Sequence, residues 1–141
     1  MWAKTFDQRL NEWYSLRTEV SSIGLESSLL TINAWWHTAP WTAYYMHWDD
    51  CESWPDPWQL LDDNVFCDVA RGLGILYTIT MLDREDVQNA SLVHTDDGYN
   101  LVLIPDTDYI LNWDKDSVFN SNLNLKIQRR LTQSQIKQKY L

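Results

Sequence analysis

Among the two cysteines and three histidines of this chain, Cys67 is the residue best placed to do chemistry. Asp63 or Asn64 is suited to cap the helix that follows it, and with Asn64 as cap Cys67 falls in the first turn. There the unpaired amide groups and the helix dipole favour a thiolate. A thiol nucleophile also needs an imidazole to take its proton and a third group to orient the ring. His94 is the base on offer, with Asp96 or Asn112 to orient it. The competing reading is a packed thiol, because free cysteine is among the most buried residue types. The carboxylates of Asp62, Asp63 and Asp68 also disfavour a thiolate nearby.

Other candidate chemistry is thinner. His37, His47, Asp49, Asp50, Cys51 and Glu52 are zinc- or calcium-type ligands close in sequence. They form no i, i+4 histidine pair and no Cys-x-x-Cys, so no metal is assigned. Gly72-Leu73-Gly74 lies inside a helical pattern and not before one, so no phosphate loop is present and no cofactor is expected.

Tryptophan is abundant, with nine residues, six of them between Trp35 and Trp58. Such rings fill cores, anchor protein interfaces or stack on sugars. Trp13, Trp36 and Trp58 are expected to pack inward, and one or two of Trp41, Trp48 and Trp54 to stay exposed. Charge is divided along the chain. All 20 carboxylates lie at or before Asp116 beside six lysines and arginines, and the remainder carries only Lys126, Arg129, Arg130, Lys137 and Lys139. An acidic body lacks the basic face that nucleic acid requires. A basic segment joined to it suits docking on an acidic protein surface.

These residues need elements to hold them. Helical spacing of Phe6, Leu10, Trp13 and Val20 predicts a helix over 5–21, and Leu25, Leu29, Ile32 and Trp36 a second over about 25–38. Pro40 stops the second. Residues 39–58, with Pro40, Pro55 and Pro57, read as an irregular loop. Asp56-Pro57 opens a short helix. The stripe Phe66, Val69, Ala70, Leu73, Leu76, Tyr77 and Thr80 predicts the central helix, in which Gly72 and Gly74 imply a neighbouring backbone close by. Asp96-Asp97-Gly98 turns a hairpin between Val87–Thr95 and Tyr99–Ile104, and 108–113 adds a third strand. The expected fold is therefore α+β: an N-terminal αα-hairpin (1–38), a Trp/Pro-rich loop (39–58), then a helix and a three-stranded antiparallel meander (59–116). Together these make one acidic domain, with 117–141 as a basic arm. No run is long enough to span a membrane, and no signal segment opens the chain.

A cysteine opening a helix that is followed by a small meander resembles the transglutaminase-like (papain-type) core over about residues 56–114. Trp58-Gln59-Leu60-Leu61 and Phe66-Cys67-Asp68-Val69-Ala70-Arg71-Gly72-Leu73-Gly74 are similar to that family's run into its nucleophile helix. The resemblance implies a histidine near 99–100 and an acid near 112, where this chain has Asn100 and Asn112. It therefore implies an inactive derivative of the fold. The blocks 33–40 and 48–58 also resemble small proteins of large tailed phages, which implies a virion or assembly product made in the host cytoplasm.

The function expected from all this is non-enzymatic subunit binding. The binding surface comprises Trp41, Tyr44, Tyr45, Trp48 and Trp54 of the loop together with Lys126, Arg129, Arg130, Lys137 and Lys139. Partners would be phage structural proteins or the chain itself, with neither nucleic acid nor membrane contacted. The alternatives are a thiol hydrolase or acyl transferase using Cys67, His94 and Asn112, and a glycan-binding module built on exposed rings.

Overall fold

The computed structural model describes residue 2 and residues 4–43, 45–120 and 124–141, so Tyr44 lies outside the described residues. Thr5 begins the first helix, α1 (Phe6–Val20), with a reciprocal capping box to Gln8. Gly24 precedes α2 (Leu25–Trp36), and the two helices form the expected hairpin. Asp56 caps α3 (Pro57–Asp63) by accepting from the Gln59 amide at 2.8 Å. The central helix, α4 (Asp68–Leu82), is buried at every position from Val69 to Thr80 except Arg71.

Three strands follow as expected: β1 (Ser91–Thr95), β2 (Asn100–Leu103) and β3 (Tyr109–Asp114). The chain then adds β4 (Ser117–Phe119), β5 (Ile127–Thr132) and a last helix, α5 (Gln133–Tyr140). The architecture is α+β, with a five-stranded antiparallel sheet in the order β4-β3-β2-β1-β5. The three expected strands are its centre. The polar segment expected as an arm supplies an edge strand and a helix. Its apolar points are few, but backbone pairing to β1 needs none, and Ile136 is buried at 2% exposure. Gln133 is buried as well, and its side chain bonds the Ala90 amide and the Val87 carbonyl.

The two glycines of α4 serve side chains and not a backbone. A Cβ on Gly72 would stand 2.6 Å from Leu92 Cδ1 and 3.1 Å from Asn112 Nδ2, and one on Gly74 would stand 2.5 Å from the Trp36 ring. Gly72 thus lets the sheet close on the helix, and Gly74 seats Trp36. That ring is fully buried among Trp2, Trp13, Trp35 and Phe66. Its indole N–H and that of Trp13 both donate to Thr78 Oγ1 at 2.9 Å, so the aromatic core leaves neither group unpaired. Trp58 departs from expectation. It is 41% exposed, because Leu60 and Leu61 turn to the core instead.

Candidate functional site

Cys67 is the N-cap residue of α4, one position earlier than a first-turn site, and its side chain makes no capping bond. Asn64 does not cap this helix. It ends α3 in the left-handed region at φ 53°, and its amide donates to the Trp2 carbonyl. The chain between them is extended because Trp41 and Phe66 form a parallel bridge, which aims Cys67 toward the sheet.

Leu92 touches α4 at Gly72, so alternation along β1 puts His94 on the same face. The hairpin register sets His94 directly opposite Asn100, and both line a cleft of about 460 Å³ that also contains Cys67, Val69, Trp48 and Arg129. Asn100 Oδ1 lies 2.8 Å from His94 Nδ1 and accepts from the Trp48 indole at 2.9 Å. An indole N–H can only donate, so the amide atom facing both rings is the carbonyl oxygen. His94 Nδ1 must then donate to it, so in the neutral ring Nε2 is the nitrogen that carries the lone pair. This is the orientation a general base requires. Cys67 is 4% exposed, and among the described residues no hydrogen bond ties its thiol to the imidazole.

The residues expected to orient His94 do not. Asp96 is exposed in the turn beyond β1, its amide bonded to the Lys126 carbonyl. Asn112 is fully engaged elsewhere. It adopts φ 67°, and this break in strand alternation turns it to the helix side next to Leu111. Its backbone N–H donates to Asn33 Oδ1, its amide to the carbonyls of Asp68 and Asn100, and its oxygen accepts from Arg71 Nε at 2.6 Å. Asn112 therefore ties the first turn of α4 to the strand carrying Asn100, a positioning part and not a partner of the imidazole.

Burial lowers the pKa of Arg71, with Asp68 and a Cys67 thiolate opposing that shift, so the guanidinium and the sulfur interact electrostatically. Tyr45 is pushed up to about 12, by burial first and then by its hydrogen bond to Asp63 and the nearby Cys67 charge. His37 is held below the ordinary imidazole value by burial, and its Nδ1 faces the Asn33 carbonyl at 2.7 Å. Among the described residues no three His, Cys, Asp or Glu side chains converge as a metal-binding set.

The surface expected for subunit binding is partly consumed inside the molecule. Trp48 and Trp54 are buried, their rings 4.8 Å apart, with the Trp54 indole bonded to the His47 carbonyl. Tyr45 is half-buried, and of the described aromatic residues in the set Trp41 alone is well exposed, at 61%. Arg129 bonds Asp49 at 2.7 Å and the Trp48 carbonyl, Arg130 bonds Ser91, Lys137 bonds Asp83 and Lys139 the Glu52 carbonyl. These basic residues dock on their own acidic body, and Lys126 stays exposed.

Asn100 and Trp48 are site residues whose role here sequence reasoning did not assign: Trp48 is expected at a binding surface, and Asn100 only in place of a histidine. The Asp-Gly turn carried the signal for Asn100, since a hairpin closed at Thr95 and Tyr99 pairs 94 with 100. No protein-family model, curated protein or solved structure matches this chain.

Proposed function

We propose that the cleft is a thiol site for acyl transfer or hydrolysis, with Cys67 as nucleophile, His94 as base and Asn100 orienting the imidazole. The observation that carries it is the Trp48–Asn100–His94 chain, which in the neutral ring assigns the proton to Nδ1 and leaves Nε2 as the acceptor, in a cleft that His94 and Cys67 both line. In the reaction Nε2 takes the thiol proton, and sulfur attacks an acyl carbon. The imidazolium returns the proton to the leaving amine or alkoxide, leaving a thioester on Cys67. Water or an amine then attacks the thioester, and the thiol is regenerated. Cys67, Asp68 and Val69 line the cleft, so the N-terminal end of α4 borders the place where negative charge would develop on the acyl oxygen. Cys67 and His94 share the cleft without a hydrogen bond between them among the described residues, and catalytic hydrogen bonds often form only in the substrate complex.

The test is iodoacetamide alkylation of Cys67 in a Cys51→Ser background. Modification of the folded protein at neutral pH, slowed about tenfold or more by His94→Ala, is expected for a general base. Modification only on unfolding, or a rate indifferent to His94→Ala, overturns the reading.

A second reading keeps the non-enzymatic subunit of a tailed-phage particle. It is favoured by exposed rings at Trp41, Phe119 and the edge-to-face pair Tyr99 and Trp113, whose centroids lie 5.9 Å apart. It also draws on the Trp/Pro block of the sequence. A glycan platform has less support, since Trp48 and Trp54 face inward and, among the described residues, the loop exposes only Trp41 and, at its end, Trp58.

A further inference from the structure

β5 ends the sheet, and among the described residues no strand pairs with its outer side. The Gln133 amide donates to the Ala90 carbonyl, and the register continues through Leu131–Leu92 and Arg129–His94. Antiparallel pairing alternates, so Arg129, Leu131 and Gln133 bond inward and the backbone N–H and C=O of Arg130 point out. The register slips between His94 and Thr95, which leaves Gln128 as an extra residue on β5. In a regular strand Gln128 and Arg129 would face opposite sides. The bulge lets both line the cleft that holds Cys67. The open edge therefore runs directly into the proposed thiol site.

Lys126 and Arg130 are exposed along this edge, and among the described residues neither pairs with a carboxylate, Arg130 bonding Ser91; the exposed Arg129 between them and the cleft is held by Asp49. An unpaired edge template beside a cleft, with cations flanking it, selects an extended acidic segment. We infer that the substrate of the Cys67 cleft is an acidic peptide segment that pairs with β5 through the Arg130 backbone and enters the cleft over Gln128 and Arg129. This assignment rests on the reading of the cleft as a thiol site.

Binding is separable from chemistry in a Cys67→Ser protein. The probe is an acetylated, amidated peptide of alternating glutamate and threonine, with a lysine–threonine peptide as its counterpart. The glutamate peptide is expected to slow hydrogen exchange at the Arg130 amide and to lose at least tenfold in affinity on Arg130→Pro. That change removes an outward N–H, and proline is tolerated on edge strands. Lys126→Glu, a change at an exposed side chain, should weaken the same peptide and strengthen the lysine one. No protection of Arg130, affinity indifferent to both variants, or protection that grows with protein concentration alone would overturn the inference, the last because a second copy would then occupy the edge. Peptide protection in a protein whose Cys67 alkylation ignores His94→Ala would leave β5 as a docking edge and refute the substrate assignment together with the thiol reading. Loss of protection with His94-dependent alkylation intact would refute the docking alone.

Discussion

Replacing Trp48 with phenylalanine tests the central claim about His94 without touching either reacting group. The indole N–H fixes which way the Asn100 amide faces, and that amide decides which imidazole nitrogen carries the proton. Once the donor is lost, the amide can present its NH₂ to Nδ1, and the proton moves to Nε2. A neutral hydrogen bond contributes about 0.5–1.5 kcal/mol net. The productive orientation is therefore favoured by at least about 2- to 12-fold over the flipped one. Nitrogen-15 NMR of the imidazole reads this directly. In the wild-type protein above pH 8, Nδ1 should carry the proton and Nε2 the lone pair, with a shift toward the opposite tautomer in Trp48→Phe. Cys67 alkylation should slow in proportion.

Trp48 also fills space against Trp54, so a purely structural loss needs a control. Asn100→Asp in the Trp48→Phe background supplies one. A carboxylate can only accept, so it restores the Nδ1–H tautomer without the indole, and alkylation should recover. A void left by the smaller ring would not be repaired by that change. A wild-type spectrum with the proton on Nε2 would refute the reasoning, as would a changed tautomer with unchanged alkylation.

Three further outcomes follow from the packing. Gly74→Ala should lose about 1–2 kcal/mol in denaturant unfolding, because overpacking against the immobile Trp36 ring outweighs the gain of about 1 kcal/mol in helix propensity. A chain ending at Asn120 should lose near-UV circular dichroism and cooperative unfolding, since it removes the partner of β1, buried Ile136 and the Tyr140 ring that meets Tyr77 at 5.9 Å. Tyr45, pushed up to about 12, keeps its proton in the folded state above the ordinary tyrosine value near 10. Its contribution is therefore present below about pH 10 and lost as pH rises toward 12, and Tyr45→Phe should flatten that part of the stability profile.

The elements with strong local signals were legible. The two N-terminal helices, the Asp56-Pro57 helix start and the Asp-Gly hairpin each announce themselves by period or by a residue that only one geometry favours. β5 and α5 were hidden because their order comes from elsewhere. Ile127–Thr132 is mostly exposed and borrows its regularity from β1, and α5 is anchored by a capping box at Thr132 and a few buried atoms. The tryptophan-rich loop meets expectation in part, since one of Trp41, Trp48 and Trp54 is exposed, but Trp58 faces outward and Trp48 and Trp54 are buried away from the expected binding surface. Proline density correctly excluded a long regular element, but side-chain direction in a loop has no period to read. Nothing in the sequence separates inward Trp48 from outward Trp41. Asn112 misled by its chemistry, since an amide at the position resembling a family acid looks like a lost orienter. Its conformation at φ 67° and its four partners make it a brace instead.

The amide at position 100 has a physical consequence that one exchange would expose. The imidazole of His94 sits directly across the hairpin from it. Cross-strand neighbours can trade places while keeping the bond between them, so His94→Asn combined with Asn100→His preserves an imidazole–amide pair on the same face. Trp48 breaks the symmetry. Its N–H needs an acceptor at position 100, and a neutral imidazole has one lone pair to give. If that lone pair accepts the indole bond, none is left for the Cys67 proton. The exchanged protein should therefore show slow alkylation, and adding Trp48→Phe should raise the rate, the reverse of what the same substitution does in the native arrangement. Equal effects of Trp48→Phe in both backgrounds would mean that the indole acts only by filling space. The opposite signs would mean that this cleft is organised around a single lone pair, placed by the bond between Trp48 and Asn100.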